Sequence, residues 1–241
     1  MNKVLIVGAS GATGKLLVDQ LLHKGIDVIA IVRPASAFIC EFQSNPKLKV
    51  IEANISEMTA KMLSELIIDC DAVVSCLGHN LTFKGMFGEP KRLVTDAIKK
   101  LFQAIELTNQ SKKIKIILMN TTGNSNRDIP EKPCLSQRCV ISILRVLLPP
   151  HADNEEAADF LRLEIGQHHT CIEWLAVRPD SLTSEDSVTP YDTHLSPTRN
   201  AIFDSAPTSR INVAHFMSEL IIDNDLWQRW KGKMPVIYNR I

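Results

Sequence analysis

What the chain lacks narrows its class before any motif is read. Its 27 Lys and Arg residues are cancelled by 27 Asp and Glu, which leaves no overall field to concentrate a phosphate polymer. Aromatic residues are scarce, at 5%, which argues against a surface that stacks single-stranded bases. No nucleic-acid partner is expected. Long apolar runs are missing as well: Ile26 to Val32 is broken by Asp27 and Val140 to Leu148 by Arg145, and both fall short of the roughly 20 residues a bilayer span needs. The stretch Val4 to Val7 is shorter than the about 7–15 residues of a signal-peptide core and runs straight into glycine, so it reads as a buried strand. No membrane association is expected. The six cysteines, Cys40, Cys70, Cys76, Cys134, Cys139 and Cys171, include no Cys-x-x-Cys pair, and three sit in apolar runs where Cys acts as a small hydrophobe. That usage points to a reducing compartment, the cytoplasm. The seven histidines show no ligand spacing; adjacent His168 and His169 point to different sides of any regular element, so no metal is expected.

What is present is an ordinary globular composition, 45% hydrophobic and 22% charged, which excludes disorder and coiled coil. A length of 241 residues suits a single α/β domain spanning the chain. Short Val- and Ile-rich runs alternate with longer amphipathic stretches, the pattern of a doubly wound, mostly parallel sheet with crossover helices. The strands are expected at Lys3 to Val7, Asp27 to Val32, Leu48 to Ala53, Ala72 to Cys76, Ile114 to Met119 and Ile172 to Val177. Near-continuous apolar character implies cover on both faces. Thr13 to Lys24 has Leu16, Leu17, Leu21 and Leu22 at helical spacing and stops at Gly25. Leu135 to Gln167 carries two helical patterns split at Pro149 and Pro150. Asp153 is the expected N-cap of the second, and Glu155 and Glu156 the acidic residues of its first turn. In Ser181 to Ser209, 14 of 29 residues are Ser, Thr or Pro, which implies a long connecting or functional loop. Asn212 then opens a helical pattern, and Met234 to Tyr238 forms a final edge strand. Residues from about 180 to 241 are thus the less regular part, contributing the substrate side.

The strongest local signal is Gly8-Ala9-Ser10-Gly11-Ala12-Thr13-Gly14, directly after a strand and before a helix. Glycines there permit a tight turn and close approach to a pyrophosphate, held by free N–H groups and the helix dipole. A strand-to-helix turn also needs glycine on steric grounds alone; the strand and helix on either side favour nucleotide binding. About 20 residues further on, an Asp or Glu would meet the ribose hydroxyls of NAD. Arg33 stands there instead. A guanidinium suits the 2′-phosphate of NADP, so NADP(H) is expected over NAD(H), against the plainer reading of a solvated strand-end residue.

VLIVGASGATGKLL, the strand end IAIVRP, VVSCLG at the fourth strand and WLAVRP at the sixth together resemble the atypical branch of the short-chain dehydrogenase/reductase family, including NmrA-like and biliverdin-reductase-like NAD(P)-binding proteins. The resemblance spans most of the chain and is sharpest in the first 80 residues. Ser209 to Ala214 is similar to the family's strand-to-helix step near the C-terminus. It implies a Rossmann fold with strand order 3-2-1-4-5-6-7. It also implies that Gly8, Ser10, Gly11, Ala12, Thr13 and Gly14 cradle the pyrophosphate, Arg33 meets the adenosine phosphate, Asn54 and Ile55 border the adenine, and Leu77 and Gly78 lie beside the nicotinamide ribose. Most members have Asp where Asn54 stands, which exchanges a charged contact for an amide one.

Main-branch members use a Ser or Thr after the fifth strand and a Tyr-x-x-x-Lys on the next helix, where Lys and cofactor lower the Tyr pKa for proton exchange. This chain has no Tyr-x-x-x-Lys; its two tyrosines are Tyr191 and Tyr238. Thr121 and Thr122 occupy the Ser/Thr position, although hydroxyl residues there also make local turns. His151, before the helix where the missing Tyr would lie, is a candidate proton donor with a suitable unperturbed pKa near 6.5, against the alternative of a surface residue beside a helix start. Asp180 is placed to face a substrate at the carboxyl ends of the strands. The expected function is an NADP(H)-dependent oxidoreductase passing hydride to a small-molecule acceptor. An acceptor with delocalised charge needs no strong donor, as the resemblance to flavin- and biliverdin-type reductases implies. The alternatives are an NmrA-like nucleotide-sensing regulator, or an epimerase or dehydratase with retained cofactor.

Overall fold

The computed structural model of the chain describes residues 3–34, 38, 45–79, 88, 90–131 and 135–240. Cys40 and Cys134 lie outside the described residues. Ten strands are described: β1 (Lys3–Val7), β2 (Asp27–Val32), β3 (Leu48–Glu52), β4 (Ala72–Ser75), β5 (Ile114–Met119), β6 (Ile172–Pro179), β7 (Ser181–Thr183), β8 (Tyr191–His194), β9 (Pro207–Ser209) and β10 (Val236–Asn239). The helices are α1 (Ala12–His23), α2 (Ala60–Ile67), α3 (Leu93–Thr108), α4 (Leu135–Leu147), α5 (Pro149–Phe160), which runs into a π-turn at Leu161–Ile165, α6 (Arg210–Ile222) and α7 (Asn224–Trp230).

Eight strands form one sheet in the order β3-β2-β1-β4-β5-β6-β10-β8. The neighbours from β3 through β10 are parallel, and only β8 runs antiparallel, against β10. This is the doubly wound Rossmann architecture, with the expected 3-2-1-4-5-6-7 order completed by β10 as its seventh strand. Two expectations need correction. The last strand is not the edge, because β8 lies outside it. The Ser/Thr/Pro-rich segment is not wholly loop: it contains β8 and a two-stranded parallel pair, β7 with β9. Strands of three or four residues are too short to show alternation, and their polar side chains are tolerated because they sit at the margin of the fold.

Val4, Leu5, Ile6 and Val7 have no solvent exposure, because helices cover both faces of β1. On one face α1 and α6 pack Leu17, Leu21, Phe216 and Met217 against the sheet; on the other α2 and α3 bring Leu63, Ile67, Ile98 and Leu101. Each such side chain contributes about 1.5–3 kcal/mol. β3 departs from the expected two-sided cover, since Lys49 and Glu52 are exposed, as suits a sheet edge. Helix α1 ends at Gly25, whose φ of +74° carries the chain out in the left-handed region.

Helix α5 begins with Pro149 and Pro150 in its first positions, where no N–H partner is needed. Asp153 is therefore not its N-cap but sits inside it, 2% exposed, and Glu155 and Glu156 lie beyond the first turn. Asp153 caps a different helix. Its Oδ2 accepts from the Val94 N–H at 2.8 Å and its Oδ1 from the Thr95 N–H at 2.9 Å, at the start of α3. Another buried charge joins the C-terminal half: the Arg178 guanidinium, fully buried, donates to the carbonyls of Asn124 and Met234 and to both carboxylate oxygens of Glu131.

Candidate active site

Register fixes where the site lies. Val7 pairs with Ile31 and with Ser75, so the chain leaves β1, β2 and β4 at the same end of the sheet. Gly8, Arg33 and Cys76 to His79 therefore come together where the strand order reverses about β1. They line a cleft of about 350 Å³ with Asn54 and Ile55 after β3, Leu93 at the start of α3, Met119 at the end of β5, and Leu182 and Arg210 from the C-terminal part.

The glycine turn has two separable roles. Gly8 has φ +75°, and a Cβ on it would stand 2.7 Å from the Cys76 carbonyl group; a Cβ on Gly14 would stand 2.2 Å from the Gly8 oxygen. These two are required by the close approach of turn, strand and helix. Ser10, Gly11, Ala12 and Thr13 face the cleft with Gly8, whereas Gly14 is not among the lining residues. Gly11, the N-cap of α1, has no side chain to take an N–H, so the first-turn N–H groups of Ala12, Thr13 and Gly14 have no intrahelical partner. That leaves a cradle for an anion.

Charge in the cleft has one sign. Among the described lining residues there is no carboxylate, but there are two guanidiniums, Arg33 and Arg210. Arg33 is exposed at the end of β2. Arg210, the first residue of α6, donates to the Ser184 hydroxyl at 3.0 Å and was not picked out by sequence reasoning. Asn54 lines the cleft with its amide tied locally: its Oδ1 accepts from the Ser56 hydroxyl at 2.6 Å and its Nδ2 donates to Glu57 at 3.2 Å. Ile55 beside it is buried. Burial pushes the Cys76 thiol up to about 12, so it is an inert wall and not a nucleophile.

Leu77 and Gly78 line the cleft, and the next residue, His79, was missed from sequence. Its Nε2 lies 2.8 Å from Oδ2 of Asp153, with both side chains almost wholly buried. Thr121, Thr122 and His151 are outside the described lining residues. Thr121 Oγ1 accepts from the Gly123 N–H at 3.2 Å, a local turn. Thr122 donates to Asp180 at 3.0 Å, and burial raises the Asp180 carboxyl. His151 packs beside Gly123 and faces Glu155, with Nε2 3.5 Å from Oε1. Burial pushes the Glu155 carboxyl up, but His151 and the Arg145 guanidinium overcome this and hold it at about 2.

A helix N-terminus offered to a cationic cleft by a glycine turn, at the carboxyl edge of a parallel sheet, defines a dinucleotide-binding α/β protein. The chain belongs to the NAD(P)H-binding family, whose sequence pattern matches residues 8–224. Solved structures share the fold across nearly the whole chain. The short-chain dehydrogenase/reductase of Veillonella parvula, in complex with NADP, aligns with a TM-score of 0.71 and 16% identity, covering 99% of this chain and 94% of that one. The oxidoreductase ylbE of Lactococcus lactis gives 0.68 and 18%, covering 99% and 91%, and the reductase ChuY of Escherichia coli 0.68 and 14%, covering 99% and 97%. An uncharacterised chloroplastic protein of Arabidopsis thaliana is 36% identical over 82 residues, 34% of this chain and 29% of that protein's length. No described helix is long and apolar enough to cross a membrane.

Proposed function

We propose that the protein is an NADP(H)-dependent reductase that passes hydride to a small-molecule acceptor. The charge of the cleft carries this reading: two guanidiniums and no carboxylate among its described lining residues, with Arg33 where an NAD site would hold an acid. The residues fit the cofactor. First-turn N–H groups of α1 would hold the pyrophosphate, Arg33 the 2′-phosphate, Asn54 and Ile55 the adenine, and Leu77 and Gly78 the nicotinamide ribose. When bound, the reduced nicotinamide supplies the hydride. The chain's part is to orient the acceptor, through the walls formed by Met119, Leu93 and Leu182, and to exclude water. Placement in the cytoplasm rests on the cysteine usage of the sequence.

The test is calorimetric titration with NADPH, NADP⁺, NADH and NAD⁺ at one salt concentration, on the wild type and on Arg33→Ala. A charge-assisted hydrogen bond contributes about 1.5–3 kcal/mol. Arg33 is solvent-exposed, so the lower end applies, about a tenfold loss of NADPH affinity, with NADH changed by less than about twofold. Equal losses for the two would refute the role of Arg33. Failure of all four to bind would refute the reductase reading. Tight binding that separates NADPH from NADP⁺, without turnover of any acceptor, would instead mark a nucleotide sensor.

A further inference from the structure

We infer that Arg210 binds the acceptor rather than the cofactor, and that the acceptor carries a carboxylate. This rests on the reductase reading above and names the substrate class of the same cleft.

The arginines sort by what holds them. Among those whose side chains are described, the ones outside the cleft are engaged within the fold: most meet a carboxylate, as Arg178 meets Glu131 and Arg145 meets Glu155, and Arg229 lies over the Trp230 ring. The two that line the cleft, Arg33 and Arg210, have no carboxylate partner among the described residues. Arg33 is exposed, where water solvates it, whereas Arg210 is half-buried. A half-buried cation without a counter-charge destabilises the fold, and a bound anion offsets that.

Its guanidinium is fixed from one side. Strand register sets Leu182 against Thr208 and Thr183 against Ser209, which brings the first residue of α6 beside β7. There Nη1 donates to the Ser184 hydroxyl at 3.0 Å and stands 3.5 Å from the Leu182 carbonyl oxygen. Nε and Nη2 have no partner among the described residues. That edge of the fork matches the two oxygens of a carboxylate. Glu185, next to Ser184, does not supply them: its Oε1 accepts from the Thr183 hydroxyl at 3.3 Å and from the Asn239 amide at 2.9 Å.

Strand order assigns the anion to the acceptor. On the reductase reading the cofactor's phosphates have their sites at Arg33, after β2, and at the start of α1, after β1. Arg210 is tied instead to β7, which follows β6, and β6 lies beyond β4 and β5 in the sheet. It stands past the strand end that would meet the nicotinamide ribose, on the side away from Arg33. Leu182 and Met119 line the cleft there, so a carboxylate held by Arg210 leaves the apolar body of the acceptor against them.

Calorimetry tests this in two stages. NADP⁺ is first titrated into the wild type and Arg210→Gln. The two affinities should agree within about twofold; a larger loss in the variant would make Arg210 a ligand of the cofactor and overturn the assignment. Then 4-formylbenzoate, 3-phenylpropionate and the methyl ester of each are titrated into the NADP⁺-saturated protein. In the wild type at least one acid should bind about tenfold or more tightly than its ester, with a preference that shrinks as salt is raised. In Arg210→Gln the preference should vanish. Equal binding of acid and ester in the wild type, no binding of either acid, or a preference that survives in Arg210→Gln overturns the proposal. Should Arg210→Gln not fold, Arg210→Lys decides, because an ammonium keeps the charge and loses the fork: the preference should fall severalfold, and an unchanged one is a refutation. If NADP⁺ itself does not bind, it is the reductase reading that has failed, and the first titration shows this before any acid is added.

Discussion

Replacing Asp153 tests a buried carboxylate that ties α5 to the start of α3 and to the segment after β4. Its carboxylate serves three buried donors, the N–H groups of Val94 and Thr95 and Nε2 of His79, and is itself 2% exposed. In Asp153→Ala all three lose their acceptor. A buried donor left unpaired costs about 1–3 kcal/mol and a lost helix cap about 1 kcal/mol. These terms overlap at the start of α3, so the expected loss is about 3–5 kcal/mol, as for a buried pair deprived of one member. Asp153→Asn keeps the volume and one accepting oxygen but turns an NH₂ toward donors, so about 2–3 kcal/mol is expected. Urea unfolding followed by circular dichroism measures both. With a slope of about 3 kcal/mol per molar, the alanine variant should unfold at least about 1 M earlier. A loss below about 1 kcal/mol in the alanine variant would refute the argument. A loss in the asparagine variant equal to that in the alanine one would show that charge matters and volume does not.

Other perturbations follow from the buried ion pairs. Glu155 titrates at about 2 in the fold against an ordinary 4.5. Its stabilising contribution is therefore complete above about pH 4.5 and lost as pH falls toward 2, by linkage. The difference in unfolding free energy between wild type and Glu155→Gln should shrink as pH falls from about 5 toward 2; a gap that widens in acid would contradict this. Arg178→Met leaves the Glu131 carboxylate buried and uncompensated, which should cost about 3–5 kcal/mol by denaturant titration. Adding Glu131→Leu should restore part of that loss, and a double variant less stable than the single one would refute the pairing.

The first six strands were legible because each is a Val- and Ile-rich run bounded by turn residues. Burial on two faces writes itself directly into composition. The glycine turn was legible for a similar reason, being a local feature whose context lies within fifteen residues. What was not legible is what depends on distance along the chain. Asp153 follows two prolines and reads as a cap for its own helix, but those prolines already satisfy the helix start, and the carboxylate caps one that begins about 60 positions earlier. His79 follows β4 with nothing periodic around it, and its partner is 74 positions away. Arg210 sits in a step that was noted for its resemblance, but only the folded chain brings that step to the cleft. Short polar strands such as β8 left no alternation to detect.

The placement of β8 has a consequence for the order of assembly. Among the described residues its four positions, Tyr191 to His194, pair with β10 alone, and β10 fits between β8 and β6. Until β10 docks, β6 presents an open ladder of N–H and C=O groups and β8 has no ladder to join. One late event therefore closes both. A proline at Ile237, which would remove a ladder donor and strain the strand, would leave open the ladders of β6 and β8 that β10 now covers. The expected symptom is self-association of an otherwise folded chain, more than a loss of cofactor affinity.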